Sequence, residues 1–439
     1  MKKETFIKST IILMIGGFLT KILGILIKVI MTRNSSLEVI SLYMLVMPTF
    51  SLMMAISQLG FATGISKVVS ENKHSSKKIL FSILPISIFI NIILTIILIF
   101  TSHFIAFNLL KNEQAYLPIL AISLVLPFDS LSSILRGFFF GKEKMIPHVV
   151  SNISEQIVRL LFMFLILPKL ITKGIVFTTT SLILINVLSE LVASLVLIFF
   201  LPKKFKIEKQ DLKPNFNSMG SVLEVALPTT LTRIIGTISF FFEPIILTYV
   251  LSLNNYSISY ITTEYGVING FVMPILLLPG FFTGAISSAL LPVISREYQT
   301  LIQMLDVMGF VHEMIKQAIF SSLLIGIPAT LIIAMYPDFF LNMLYKTSHG
   351  ASYIKKIAFI FILFYIEAPL ATFLQATNKA KEVMYDNFIG IILKTVFLFL
   401  LSFIKGIGLY SLLIASGINI LITTTRHIKH IKILFKTFT

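Results

Sequence analysis

The chain contains no cysteine and no tryptophan, and only 20 of its 439 residues are acidic. Without cysteine there is no disulfide, no thiol nucleophile and no thiolate metal site. The seven histidines are mostly scattered in predicted connections. None forms a pair at metal-ligand spacing with a supporting carboxylate, so no metal centre is expected. No GxxxxGK[ST] loop occurs, which argues against direct use of ATP, and no other cofactor is implied. Charged residues make up 13% of the chain, against about 25% in soluble domains. Forty phenylalanines without tryptophan supply apolar surface for lipid and helix packing, not a stacking shelf for bases. The net charge of +16 is therefore read first as a topology signal, with no nucleic-acid partner expected.

What fills the chain is apolar: 56% hydrophobic residues and a mean hydropathy of +0.93. These values predict an all-α integral membrane protein. A span needs roughly 20 apolar residues at 1.5 Å rise. Such runs recur about twelve times, near residues 7–31, 39–66, 79–108, 117–140, 148–168, 174–201, 220–251, 262–292, 309–336, 352–376, 383–403 and 407–425. The charged start, MKKETFIKST, resembles the flank of a signal peptide. The run after it is too long and lacks a small-residue cleavage site, so a retained first span is expected. The predicted organisation is an N-terminal six-helix lobe (1–205), a cytoplasmic connector (206–217), a C-terminal six-helix lobe (218–426) and a basic cytoplasmic tail (427–439) whose cations suit a helix lying on the inner leaflet.

Lysine and arginine set the orientation. The termini and even-numbered connections carry most of them, with Lys2, Lys3, Lys67, Lys77, Arg136, Lys142, Lys203, Lys316 and Lys432 among them, while the other side holds Arg33, Lys111, Lys169, Lys173, Lys346, Lys355, Lys356 and Lys405. The ratio is roughly three to one and predicts both termini in the cytoplasm.

The two halves repeat each other. LTKILG at 19–24 returns as LTRIIG at 231–236, VMP at 46–48 as VMP at 272–274, and LRGFFFGKEKM at 135–145 as LQATNKAKEVM at 374–384. The offsets (231−19 = 212, 272−46 = 226, 374−135 = 239) rise in order, as collinear copies with small insertions require. Six spans per half make the repeat parallel, and substrate sites in such proteins lie between the halves near the midplane.

The stretch 9–33 stands out within this pattern. Gly17, Lys21, Gly24 and Lys28 follow 4-3-4 spacing, which places them on one face of a helix. A charge at that depth costs about 2.5–3.5 kcal/mol on insertion scales, so the face is expected to look onto protein or water. Arg233 occupies the position of Lys21 in the second copy of the repeat. Both are expected to face one shared cavity.

Four further segments carry a family resemblance: LYMLVMP, GFATGISKVVSENK, VALPTTLTRIIGTISFFFEPIIL, and EYGVINGFVMPILLLPGFFTGAISSALLPVISREY. With RGFFFGKEKMIPHVVSNISEQIVRL they resemble the stage V sporulation protein B-like polysaccharide transporters, relatives of MurJ-type lipid II flippases in the multidrug/oligosaccharidyl-lipid/polysaccharide exporter superfamily. The resemblance covers nearly the whole chain. It implies two six-helix lobes around a central cavity that opens alternately inward and outward. It also implies transport of an undecaprenyl-diphosphate-linked glycan, a lipid II or related precursor, to the outer leaflet of a bacterial plasma membrane. The family usually has basic residues, often arginine, where this chain has Lys21, Lys28 and Arg233. Lysine keeps the charge and loses the bidentate fork. Related flippases typically have fourteen helices; here twelve are predicted.

Lys21, Lys28 and Arg233 are therefore the expected diphosphate-binding residues, with two readings standing for Lys28, whose stem could also snorkel to the interface. Candidates for ion coupling or charge balance are Glu243 before Pro244, Asp129 after Pro127, Glu367 before Pro369, and the i, i+4 pair Glu155 and Arg159. Glu243 could balance Arg233 or bind a coupling cation. The pair at 155 and 159 has the better helical order, glutamate first. No catalytic residue is expected, and coupling to Na⁺ or H⁺ stays open. The expected partners are a lipid-linked oligosaccharide, the phospholipid membrane and proteins of cell-wall synthesis. The competing functions are a multidrug or cation antiporter of the same superfamily, a polyprenyl-lipid enzyme, and a non-transporting scaffold for wall synthesis.

Overall fold

A computed structural model of the protein describes residues 3–71, 76–201, 215–284, 286–287, 294 and 307–436, and among them every regular element is helical. In chain order these are α1 (Lys3–Asn34), α2 (Leu37–Gln58), α3 (Phe61–Ser70), α4 (Ser76–Phe104), α5 (Tyr116–Gly141), α6 (Met145–Leu165), α7 (Leu167–Ile171), α8 (Ile175–Phe199), α9 (Phe216–Leu253), α10 (Ile258–Val267), α11 (Met273–Leu277), α12 (Val307–Met335), α13 (Pro337–Tyr345), α14 (Ala351–Ile357), α15 (Phe361–Ala376), α16 (Ala380–Ser402) and α17 (Tyr410–Lys436). Short π-helical turns follow α4 (Ile105–Leu109) and α10 (Ile268–Val272).

Nine helical segments among the described residues are long and apolar enough to cross a bilayer. Three predicted runs are not among them. The run at 148–168 forms α6, whose polar residues His148, Ser151, Asn152, Glu155 and Arg159 dilute its hydropathy. The run at 262–292 is split into α10, a π turn and α11, and it continues into residues outside the described set. The run at 407–425 is the first part of α17. Outward-facing apolar side chains complete the membrane reading. Phe100 and Phe199 are 79% and 86% exposed, tolerable where lipid tails rather than water cover them.

By contact the chain divides into two units, Met1–Pro244 and Ile245–Thr439. The division falls inside α9 because its first turns belong to the core of the first unit. Val222 and Ala226 pack there with Phe61, Ile65, Val68 and Val69 of α3, Ile134 and Phe138 of α5, and Leu197 of α8. The spacing 61, 65, 68, 69 is the i, i+4, i+7, i+8 stripe of a helix burying one face. The expected connector 206–217 lies mostly outside the described residues, as do Lys73, much of the motif ALLPVISREY, and tail residues 437–439.

The break between α2 and α3 depends on two consecutive left-handed residues, Leu59 (φ 42°) and Gly60 (φ 60°). Side chains rarely adopt that region at low cost except as glycine. Space also demands glycine, since a Cβ at Gly60 would sit 2.6 Å from the Ala226 carbonyl oxygen of α9. The turn is thus wedged against α9, which fixes where Gln58, the last residue of α2, points.

In the second unit, α12, α15, α16 and α17 share a core that includes Ile315, Leu370, Phe373, Val383, Ile431 and Leu434. The basic tail differs from its expected form: residues 427–436 continue α17 as one helix and dock by Ile431 and Leu434. Apolar residues on one side of the segment have a protein groove to enter, so it does not form a separate surface helix. At the other end of this unit, Glu264 accepts from Tyr353 Oη at 2.7 Å and lies 2.8 Å from His349 Nε2.

Gly60→Ala is expected to destabilise the first unit by about 1–3 kcal/mol through left-handed strain and the clash with α9. The thermal transition of purified protein in detergent reads the effect. Gly220→Ala in α9, where a Cβ meets nothing within 4 Å, should leave the transition in place. Equal transitions for the two variants would contradict the wedge.

Candidate functional site

Polar side chains buried in the first unit form one connected track. Its densest part is a four-charge cage on three helices. Arg136 of α5 places Nη2 2.7 Å from Glu155 Oε2 of α6 and 3.3 Å from Glu190 Oε2 of α8. Arg159 of α6 places Nη2 2.7 Å from Glu155 Oε1 and 3.6 Å from Glu190 Oε1. Its Nε donates to Ser189 Oγ at 3.1 Å. Two guanidiniums and two carboxylates sum to zero charge. That balance matters because an unpaired ion away from water costs several kcal/mol.

Ser132, one turn before Arg136 on α5, links the cage to the next group. Its Oγ lies 2.6 Å from Glu190 Oε2 and 2.9 Å from the carbonyl oxygen of Asp129. Asp129 is buried, and its Oδ1 accepts from Gln58 Nε2 of α2 at 2.9 Å. Its Oδ2 is buried and has no hydrogen-bond partner among the described residues. Gln58 Oε1 in turn accepts from Arg233 Nη1 of α9 at 2.7 Å. Gln58 therefore relays between a cation and an anion, one end of its amide on each. Pro127 helps to make room here. Proline cannot donate to the carbonyl four residues back, and that oxygen, on Ser123, lies 3.3 Å from Thr95 Oγ1 of α4. A second set of buried hydroxyls and amides stiffens the same region: Ser57 Oγ lies 2.7 Å from Asn91 Oδ1, and Ser87 Oγ lies 2.6 Å from Ser130 Oγ.

The track ends in the open at Arg233, an exposed residue. Lys21 is also exposed, on α1. In both copies of the repeat the glycine three residues after the cation, Gly24 or Gly236, has nothing within 4 Å of a Cβ position, and Gly17 is equally open. The two motif cations therefore stand beside free space.

Sequence comparison identifies the family. Residues 6–297 match the family described as polysaccharide biosynthesis protein. The stage V sporulation protein B of Bacillus subtilis (strain 168) is 33% identical over 437 residues, 97% of this chain and 83% of that protein. The chain belongs to the polysaccharide biosynthesis protein family. The lipid II flippase MurJ of the same organism is 24% identical over 420 residues, 89% of this chain and 76% of MurJ. A solved structure of an inward-closed MurJ superposes with a TM-score of 0.68 at 17% identity, covering 95% of this chain and 87% of that one. An inward-facing multidrug resistance MATE transporter of the MOP superfamily gives 0.75 at 13% identity, covering 95% of each chain. The fold is accordingly that of the MATE and MurJ transporters, and the chain is a multi-pass membrane protein.

Within this family member the expected site residues fall into distinct settings. Glu155 and Arg159 pair at i, i+4 as their spacing suggests, yet each also bonds a second partner. Asp129 and Arg233, far apart in sequence, are joined through Gln58. Glu243 is buried on α9, one residue before Pro244. Lys28 is half-buried, one turn before Thr32, whose Oγ1 donates to the Lys28 carbonyl oxygen at 2.9 Å. Glu367 belongs to the second unit, half-buried in α15. The structure departs from the sequence reading at Arg136, which hydropathy groups with the cytoplasmic connections. Its side chain is only 18% exposed and is bound to two carboxylates. Gln58, Ser132 and Arg136 are not among the residues that the sequence reading expects at the site, and Gln58 carries no sequence signal. The polar spacing of Asp129, Ser132 and Arg136 along one face of α5 was the available clue.

Glu190→Gln would leave two guanidiniums facing one carboxylate. The expected cost is about 3–5 kcal/mol, the range for breaking a buried ion pair from one side. Adding Arg136→Gln should recover a measurable part of that loss in thermal unfolding in detergent. Strict additivity of the two substitutions would show that the cage is not an energetic unit.

Proposed function

We propose that this family member is a secondary transporter that flips an undecaprenyl-diphosphate-linked glycan, lipid II or a related precursor, from the inner to the outer leaflet by alternating access. The carrying observation is the pair of exposed motif cations, Lys21 and Arg233, each beside a glycine that leaves space open. A diphosphate is the ligand chemistry that matches such a pair. Charge-assisted hydrogen bonds to phosphate oxygens are about twice as strong as neutral ones. Arg233 is held from one side by Gln58, so its orientation is set before a ligand arrives. Lys28, seven residues from Lys21 on α1, is a third contact in this reading. The undecaprenyl tail stays in lipid and adds no demand on the polar site.

Transport follows from differential binding. A bound diphosphate relieves repulsion among the cations and so favours the state in which they are brought together. A membrane potential negative inside favours outward movement of negative charge by about 2.3 kcal/mol per charge per 100 mV. Na⁺ or H⁺ coupling is assigned to the carboxylates outside the cage: Asp129, Glu243 and Glu367. Glu155, Arg159, Arg136 and Glu190 are assigned a charge-balancing role. The proposed arrangement has six helices in each lobe and both termini in the cytoplasm, with the wall-synthesis machinery as partner.

One observation favours a second reading. The likeness to a multidrug MATE transporter would suit export of cationic drugs. That chemistry needs acidic groups open to the substrate, whereas Asp129, Glu155 and Glu190 are buried and the exposed motif residues are cations.

The double variant Lys21→Gln/Arg233→Gln, in a cell that depends on this protein, is expected to abolish export of the lipid-linked precursor at normal protein level. Unchanged export would defeat the proposal, and increased sensitivity to cationic drugs with export intact would favour the second reading. The orientation has its own check, since the chain has no cysteine of its own. A cysteine placed at Lys346 should react with a membrane-impermeant thiol reagent in intact cells, while one at Lys432 should not; the reverse pattern would invert the assigned topology.

A further inference from the structure

The last helix runs 27 residues, Tyr410 to Lys436, roughly 40 Å at 1.5 Å per residue. That exceeds the hydrocarbon thickness of about 30 Å. Lys356 sits over the Tyr410 ring at one end, 4.2 Å from its centroid. Lys429 and Lys432 then lie roughly 28 and 33 Å further along the helix, about one hydrocarbon thickness from Tyr410.

The rotation of this end of α17 is fixed by two sets of contacts. Ile431 and Leu434 enter the core of the second unit. Asp386 of α16, itself fully buried, takes Arg426 Nε at 2.7 Å and lies 3.4 Å from His430 Nε2. Those two basic residues are thereby committed to the protein. The opposite stripe is Thr425, Lys429 and Lys432, at i, i+4 and i+7. Among the described residues neither lysine makes a hydrogen bond or ion pair, in contrast to Arg426 and His430. With Ile428 and Ile433 the stripe lines an open cavity of about 480 Å³. Two ammonium groups, one hydroxyl and two isoleucines are the complement of an amphiphile. The Thr425 hydroxyl donates to the Leu421 carbonyl oxygen at 2.7 Å and keeps a lone pair for a headgroup hydroxyl.

We propose that Thr425, Lys429 and Lys432 form a binding site for the headgroup of an anionic phospholipid, with its phosphate on the two lysines and its first acyl carbons on Ile428 and Ile433. The site discriminates by charge. A choline headgroup brings an ammonium of its own against the lysines, whereas a glycerol headgroup brings a hydroxyl that Thr425 can accept. The docked helix thus holds lipid at one defined stripe instead of lying on the membrane.

Native mass spectrometry of the full-length protein, with phosphatidylglycerol and phosphatidylcholine of identical acyl chains, tests the assignment. The unaltered protein is expected to retain phosphatidylglycerol about thirtyfold more strongly, a scale set by two lysines at a charged surface. Lys429→Gln/Lys432→Gln should remove that preference, and Lys429→Arg/Lys432→Arg should keep it. Lys346→Gln/Lys355→Gln, exposed cations outside the stripe, should also keep it. The proposal is overturned if the glutamine pair at 429 and 432 retains phosphatidylglycerol normally, if the arginine pair loses it, if the Lys346/Lys355 pair loses it equally, or if the unaltered protein holds both lipids alike. Matching thermal transitions of the four proteins certify that folding is not what changed.

Discussion

Neutralisation of charge away from water is the constraint on which the first unit rests. Glu155 and Glu190 each face both Arg136 and Arg159, so every charge has two opposite neighbours. In a medium with few waters that mutual arrangement is what allows four ions to be carried by α5, α6 and α8 at all. It also restricts how those helices can slide or rotate, since moving any one would strand charges on the other two. The Gln58 relay extends the restriction to α2 and α9, because Asp129 and Arg233 are both held by one amide. The unit is thereby suited to move as a body.

That division of labour separates two kinds of charge that look alike in the sequence. The cage cations are consumed inside the protein, whereas Lys21 and Arg233 are exposed next to open glycine positions. A protein of the polysaccharide biosynthesis family with a MATE- and MurJ-like fold has reason to keep both kinds. Internal pairs lock the helices, and in the proposed function exposed cations meet an anionic substrate. At the end of α17 the same division recurs, with Arg426 turned inward to Asp386 and Lys429 and Lys432 turned outward.

Much of the architecture was legible without coordinates. The apolar runs predicted helices, and the spacing of Glu155 and Arg159 predicted their contact. Other features were hidden for definite reasons. Arg136 stands at the end of an apolar run beside Gly137 and Lys142, so a hydropathy reading assigns it to the connection. Only the approach of α6 and α8 shows that its head is enclosed. Gln58 is an uncharged residue followed by Leu59, and nothing in its neighbours announces partners 71 and 175 residues away. The tail at 427–436 reads as a surface helix because its cations alternate with isoleucines, yet the groove that receives Ile431 and Leu434 is made by other helices.

The sequence by itself determined what is additive along the chain: a membrane solvent, helices of spanning length, a duplicated plan, and cations at matching places in its two copies. Hydropathy and periodicity are local sums, so they need no partner to be read. Tertiary structure alone decided which cation meets which carboxylate and which stays exposed. That outcome depends on distances of about 3 Å between helices remote in sequence, and at that range a rotation of one helix by a single residue exchanges a paired charge for an exposed one.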